Sequence, residues 1–300
     1  MAAGGYAWWY VDALSDDGRH GLTLIAFVGS VFSPYYAAAR RRGDADPRHH
    51  CALNVALYGP RAQRWAMTER GATALHRDAA SLVIGPSALH WDGHALTVEI
   101  DEWTMPWPSR LRGVVRIHPQ ALNGPDHALD AEGRHRWHPI APCARVEVEL
   151  RQPALRWSGP GYLDANHGDA PLESAFRRWD WARAALPGGG TAVLYDAERA
   201  DGGRTTLALD FDARGGMRRF APPPPQALPA TRWGVERGTR SEGAAHVLRT
   251  LEDTPFYARS LVEATWAGRR GVAVHESLSL ERFSRRWVQA LLPFRMPRRG

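Results

Sequence analysis

The sequence predicts an all-β chain, a sandwich or barrel in two units that meet near residue 158, followed by a short C-terminal helix. Three observations carry this. Period-2 alternation dominates and helical periodicity is scarce. The 29 glycines and 22 prolines fall between short apolar runs at fairly regular spacing, as in sandwiches and barrels. A chain of 300 residues, 44% of them hydrophobic, has the length of two domains of about 150 residues each.

Taken in order, Arg134-His-Arg-Trp-His-Pro139 sets His135 and Trp137 two residues apart. In 145–150, Val146, Val148 and Leu150 alternate with Arg145, Glu147 and Glu149. Gly159–Gly168, read as a strand, presents Tyr162, Asp164 and Asn166 on one face, with Leu163 and Ala165 on the other. Trp179, Trp181 and Arg183 repeat the pattern in 176–183. Ala192–Tyr195, the turn Asp201-Gly-Gly203 and the alternation Leu207, Leu209, Phe211 form a hairpin. Pro222–Pro225 must be extended and suits a loop. Val272, Val274, Leu278 and Leu280 share a face after Gly268–Gly271. The helix expected over Arg282–Pro293 places Phe283, Trp287, Ala290 and Leu291 on one side, with arginines flanking them. That pattern fits either an interfacial helix on a membrane surface or a terminal helix docked on the barrel. The two units are therefore expected at 1–158 and 159–300.

Composition narrows the function. No run approaches the ~18 apolar residues of a membrane-spanning helix, and the N-terminus lacks the basic and apolar regions of a secretory signal. Cys51 and Cys143 are too few and too distant for a disulfide framework or a cysteine zinc site. All 38 basic residues are arginine and the net charge is +6, but the charge is dispersed, which argues against a nucleic-acid groove. The Gly-x-Gly-x-x-Gly, Walker, His-Glu-x-x-His and Gly-x-Ser-x-Gly signatures are all absent. His49-His50-Cys51 is the one compact set of metal-type ligands, and neighbours on a strand point to opposite faces. No metal and no cofactor are expected. What remains is acid–base chemistry in a cavity, or ligand binding.

The thirteen tryptophans stand out. The densest groups are Trp8-Trp9-Tyr10, Trp103 to Trp107 and Trp179-Asp180-Trp181. Each can be a core residue; together they suit a tunnel lined with π faces that grips a long polyene. Asp164 beside aromatic faces is what cation chemistry on an alkene needs, although the same residues also allow a buried ion pair between Asp164 and Arg183.

Long ordered matches then identify a family. They are Trp8-Trp-Tyr-Val-Asp12 with Ser15-Asp-Asp-Gly18, Ile25–Tyr36, Arg64–Arg70, Ile100-Asp-Glu-Trp103, His135 through Pro139-Ile-Ala-Pro142, Gly161–Gly168 and Trp179-Asp-Trp181. Over nearly its whole length the chain resembles the carotenoid 1,2-hydratases (hydroxyneurosporene synthases) of phototrophic purple bacteria. The resemblance implies two tandem lipocalin-like barrels. It also implies a cofactor-independent addition of water to the terminal double bond of an acyclic carotene such as neurosporene or lycopene. The family's catalytic aspartate falls on Asp164, its tyrosine on Tyr162, and its histidine and tryptophan on His135 and Trp137. Trp179, Trp181 and Asn166 are the expected substrate contacts. The enzyme is expected on the cytoplasmic side of the inner or intracytoplasmic membrane, in peripheral contact with it. The rival readings are a carotenoid carrier without turnover and a hydratase or cyclase of another isoprenoid on the same scaffold.

Overall fold

A computed structural model describes residues 1–60 and 63–299. The chain forms two compact units. The first comprises Met1–Ala128, Arg134–Pro171 and the segment from Ala290 onward; the second comprises Leu129–Gly133 and Leu172–Gln289.

The strands of the first unit are β1 (Tyr6–Leu14), β2 (Gly21–Val28), β3 (Cys51–Tyr58), β4 (Arg64–Met67), β5 (Glu69–Arg70), β6 (Leu75–Arg77), β7 (Ser81–Ile84), β8 (Ser87–Trp91), β9 (Leu96–Trp103), β10 (Arg110–Pro119), β11 (His127–Ala128), β12 (His135–Gln152) and β13 (Ala154–Gly168). With a last short strand near the C-terminus they make one 14-stranded sheet. Its middle runs β3-β2-β1-β13-β12-β10-β9, antiparallel throughout. The sheet rolls around a single apolar core. Val11 and Ala13 of β1, Leu22 and Leu24 of β2, Val55 of β3, Val98 of β9, Val115 of β10, Val146 of β12 and Leu163 of β13 all point into it. Helix α1 (Pro34–Arg42) is capped at its start by Ser33, whose hydroxyl accepts from the Tyr35 and Tyr36 amides.

The second unit carries β14 (Phe176–Ala185), β15 (Thr191–Arg199), β16 (Arg204–Phe211), β17 (Met217–Arg219), the hairpin β18 (Pro225–Leu228) and β19 (Arg237–Arg240), then β20 (His246–Asp253), β21 (Tyr257–Trp266) and β22 (Arg269–Ser279). Seven strands form a sheet in the order β17-β16-β15-β14-β22-β21-β20, and among the described residues the hairpin pairs only with itself. Ala182, Leu194, Leu228, Val262 and Trp266 are among the residues of this unit's own core.

The all-β expectation holds, and three details of it are corrected. The junction expected at residue 158 lies after Pro171. Residues 159–168 belong to β13, which is zipped between β1 and β12 of the first unit, so the hydrogen-bond ladder carries the first unit past the expected boundary. The helix expected over 282–293 is broken into α3 (Leu280–Phe283), α4 (Arg286–Leu291) and a 3₁₀ turn, Leu292–Phe294. The break at Ser284 separates buried Phe283 from exposed Trp287 and Leu291, so these side chains do not share a face. The tryptophans do not line one tunnel: Trp107 is 85% exposed, and Trp103 lies at the surface under the Arg110 guanidinium.

Candidate active site

Both faces of the central first-unit strands are buried. The face turned away from the apolar core carries Tyr6, Trp8, Tyr10 and Asp12 on β1, Tyr162, Asp164 and Asn166 on β13, and His135 and Trp137 on β12. The two-residue period of a strand places each set in line. The antiparallel register then puts them side by side. Asp164 stands opposite Tyr10, Tyr162 opposite Asp12, and Asn166 between Trp8 and Trp137. On β12 the register slips between His138 and Ala141, beside Asp164, and such bulges re-aim neighbouring side chains.

Asp164 is 3% exposed. Two donors converge on one of its oxygens. The Trp137 indole Nε1–H donates to Oδ2 at 2.7 Å and the Tyr162 hydroxyl donates to Oδ2 at 2.8 Å. His135 is tied from its other side, its Nδ1 lying 3.0 Å from the Tyr6 hydroxyl. Tyr6 stacks on Trp8, with centroids 4.9 Å apart, and on the His135 ring at 5.8 Å. Tyr10 meets Tyr162 edge-on at 6.3 Å, and His127 packs on Trp137 at 5.4 Å. Gly168 makes this approach possible: a Cβ there would lie 2.7 Å from both His135 Nδ1 and the Tyr6 ring.

The structure therefore brings together Asp164, Tyr162, Trp137, His135 and Asn166, five of the seven residues expected at the site. Trp179 and Trp181 lie on β14 of the second unit, both buried, Trp179 edge-on to Phe176 and Tyr195. Sequence reasoning passed over Tyr6, Tyr10 and Asp12 as site residues. Their signal was the alternation Tyr6-x-Trp8-x-Tyr10-x-Asp12, an aromatic stripe ending in an acid.

The His-His-Cys set has other work. His50 Nδ1 lies 2.9 Å from Glu69 Oε1, and burial pushes the Cys51 thiol up to about 12. Among the described residues no group of three or more His, Cys, Asp or Glu side chains is placed to hold a metal ion.

With this geometry in view, comparisons with known proteins identify the family. The family model "Carotenoid hydratase CrtC" matches residues 24–300. An acyclic carotenoid 1,2-hydratase of Thiocapsa roseopersicina is 59% identical across the whole chain and 75% of its own length. One from Rubrivivax gelatinosus is 53% identical over 99% of the chain and 74% of its length, and one from Cereibacter sphaeroides is 42% identical over 92% and 98%. Among solved structures, an AttH protein of Nitrosomonas europaea superposes with a TM-score of 0.60 at 16% identity, covering 91% of this chain and 92% of that one. Kievitone hydratase of Nectria haematococca gives 0.55 at 8% identity, covering 92% and 89%. These two share the fold. The rolled β architecture and the sequence matches agree, and the chain belongs to the carotenoid hydratase family.

Proposed function

We propose that this hydro-lyase adds water to the terminal 1,2 double bond of an acyclic carotene such as neurosporene or lycopene, with Asp164 as the proton donor. The observation that carries the reading is the convergence of the Trp137 and Tyr162 donors on Oδ2 of a buried carboxyl.

An isolated alkene is a weak base, so its protonation needs an uncharged acid and a shelter for the tertiary cation. Removal from water disfavours the charged form of a carboxyl. In neutral Asp164 the twice-bonded Oδ2 serves as the carbonyl-type acceptor, so the proton sits on Oδ1. As Oδ1–H breaks and a C–H bond forms at C2, negative charge spreads onto Oδ2. There both donors bind it more strongly than they bound the neutral acid, which favours the transition state over the ground state. Positive charge collects at C1, which bears two methyl groups. An aromatic face stabilises a desolvated cation by ~2 kcal/mol, and Trp137 and Tyr162 supply those faces. His135, fixed by Tyr6, orients the attacking water or holds the Asp164 geometry. Asn166 contacts the chain end. The chemistry described uses side chains alone.

A water-insoluble substrate suggests where the enzyme works. Between Arg282 and Arg299 there are six arginines and no acidic residue. In the same stretch Trp287, Leu291 and Phe294 are exposed, and Trp287 stacks on exposed Trp233 at 6.4 Å. Apolar side chains among cations are the pattern of peripheral binding to an anionic bilayer, here its cytoplasmic face.

The deciding experiment is incubation of the enzyme and its D164N variant with lycopene or neurosporene, reading the mass gain of one water. The folded variant is expected to lose at least ~10³-fold in rate, within the range of general-acid contributions. Hydration by D164N at near wild-type rate would overturn the reading. A carrier would bind the polyene without any mass gain.

A further inference from the structure

We infer that Asp12 is the general base of the same reaction, taking the proton from the attacking water; this rests on Asp164 being the acid. Hydration needs two proton transfers in opposite senses, one to carbon and one from water. The acid that has just delivered its proton is held on Oδ2 by two donors, which stabilise it as an anion and blunt its basicity. A second carboxyl on the same face relieves it of the second task.

Asp12 is that carboxyl. It is 1% exposed, it stands opposite Tyr162 on β13, and the unbroken β1/β13 register puts it diagonal to Asp164, whose direct partner is Tyr10. Val11, Ala13 and Leu163 fill the apolar core on the other side, so Asp12 and Asp164 project to one side of the sheet. The Cα atoms of diagonal neighbours across an antiparallel pair stand roughly 7–8 Å apart. Where an acid and a base work across a reacting centre with a water between them, as in inverting glycoside hydrolysis, the carboxyls are about 6.5–9.5 Å apart.

A second observation points the same way. Thr23 on β2 stands directly opposite Asp12. Its hydroxyl is buried and has no hydrogen-bond partner among the described residues, although buried polar groups are nearly always paired. A water between Thr23 and Asp12 would satisfy it and would be the nucleophile, which leaves His135, opposite Gly168 at the far end of β13, the task of holding the Asp164 geometry.

The step balances as follows. The π electrons take the proton from Asp164 Oδ1, forming C2–H and leaving the C1 cation. A lone pair of water forms C1–O, one O–H of that water breaks, and its proton passes to Asp12. The cycle closes when Asp12 releases this proton and Asp164 takes one up, so one water is consumed for each alcohol formed.

The test runs D12N, T23V and D164N in deuterium oxide with lycopene in detergent, measuring both product and deuterium in recovered substrate. A cation that forms but is not captured returns to alkene by losing a proton, which leaves deuterium behind. In D12N, hydration is expected to fall ~10²-fold or more while deuterium in recovered lycopene rises. T23V is expected to show a milder form of the same split, about 10-fold. Loss of hydration and exchange together in folded D12N, or hydration by D12N near the wild-type rate, overturns the role of Asp12. Should D12N not fold, T23V decides by the same criterion. Exchange that persists in D164N instead overturns Asp164 as the acid.

Discussion

Each unit buries an aspartate on a central strand beside aromatic residues, and the two are held very differently. Asp164 on β13 accepts from the indole of Trp137 and the phenol of Tyr162, both on one oxygen. Asp180 on β14 accepts from the Ser277 hydroxyl and, at 3.2 Å, from the backbone amide of Gly238, and the Arg178 guanidinium lies 3.6 Å away. Gly238 belongs to the β18–β19 hairpin, and its carbonyl is bonded in turn by His275 Nε2 at 2.7 Å. Asp180 and His275 thus grip one residue, Gly238, by its N–H and its C=O, and fasten a hairpin that, among the described residues, makes no ladder with the main sheet. A carboxyl whose partners are the backbone of a separate segment ties chain to chain. One whose partners are aromatic donors across its own face ties no second segment, and it is the one we propose as the proton donor.

The comparison sharpens first through the aromatic donors. W137A is expected to lose about 10³-fold in activity, because donor and π face both go. W137F and Y162F, which keep the faces but lose a hydrogen bond each, should fall about 10²-fold, the cost of one oxyanion-type donor. Equal loss in W137A and W137F, measured as initial rates on lycopene, would assign the work to the indole N–H or to packing.

D180N leaves Gly238 with a weaker acceptor. It is expected to lower unfolding free energy by about 1–3 kcal/mol, read by denaturant titration, while activity per folded molecule stays within twofold. Activity loss beyond that would erase the contrast between the two aspartates.

The hairpin clasp also carries a pH signature. Burial pushes the His275 imidazole below its ordinary 6.5, and burial pushes Asp180 above its ordinary 3.8. A histidine with a lowered folded value binds fewer protons folded than unfolded, so its contribution to stability is full above 6.5 and declines as pH falls below it. Asp180 acts in the opposite sense, its raised folded value making stability rise as pH falls toward 3.8. Thermal scans from pH 7 to 5 should therefore show a larger fall in Tm for wild type than for H275Q, which keeps a donor to the Gly238 carbonyl without the titration. Parallel curves would remove His275 from the account. Smallest of all, W107A should change stability by less than ~0.5 kcal/mol and leave the rate unchanged, since Trp107 lies at the surface.

Much of this was legible in the sequence, for local reasons. Tyr162, Asp164 and Asn166 on one face, and His135 with Trp137 on another strand, follow from the two-residue period alone. That these strands are neighbours does not. β1 pairs with β13 across most of the first unit's length, and long-range pairing leaves no local trace, so Tyr6, Tyr10 and Asp12 stayed outside the expected site. The boundary was misplaced for the same reason, because β13 reads as the start of something new until its partners are known. The C-terminal helix failed at one point: Ser284 donates to the Leu280 carbonyl while α3 ends, and Pro293 falls in the closing 3₁₀ turn. The tryptophan count misled because it carries no direction, and Trp103 and Trp107 face outward where Trp137 faces in.

The account rests on Asp164 standing uncharged in the resting enzyme at neutral pH. Infrared difference spectroscopy between wild type and D164N, in water and in deuterium oxide, reads this directly. A carboxylic acid C=O band that is present at pH 7, shifts on deuteration and is missing in D164N is the expected result. A carboxylate band assigned to Asp164 at pH 7, with no acid band, would contradict it.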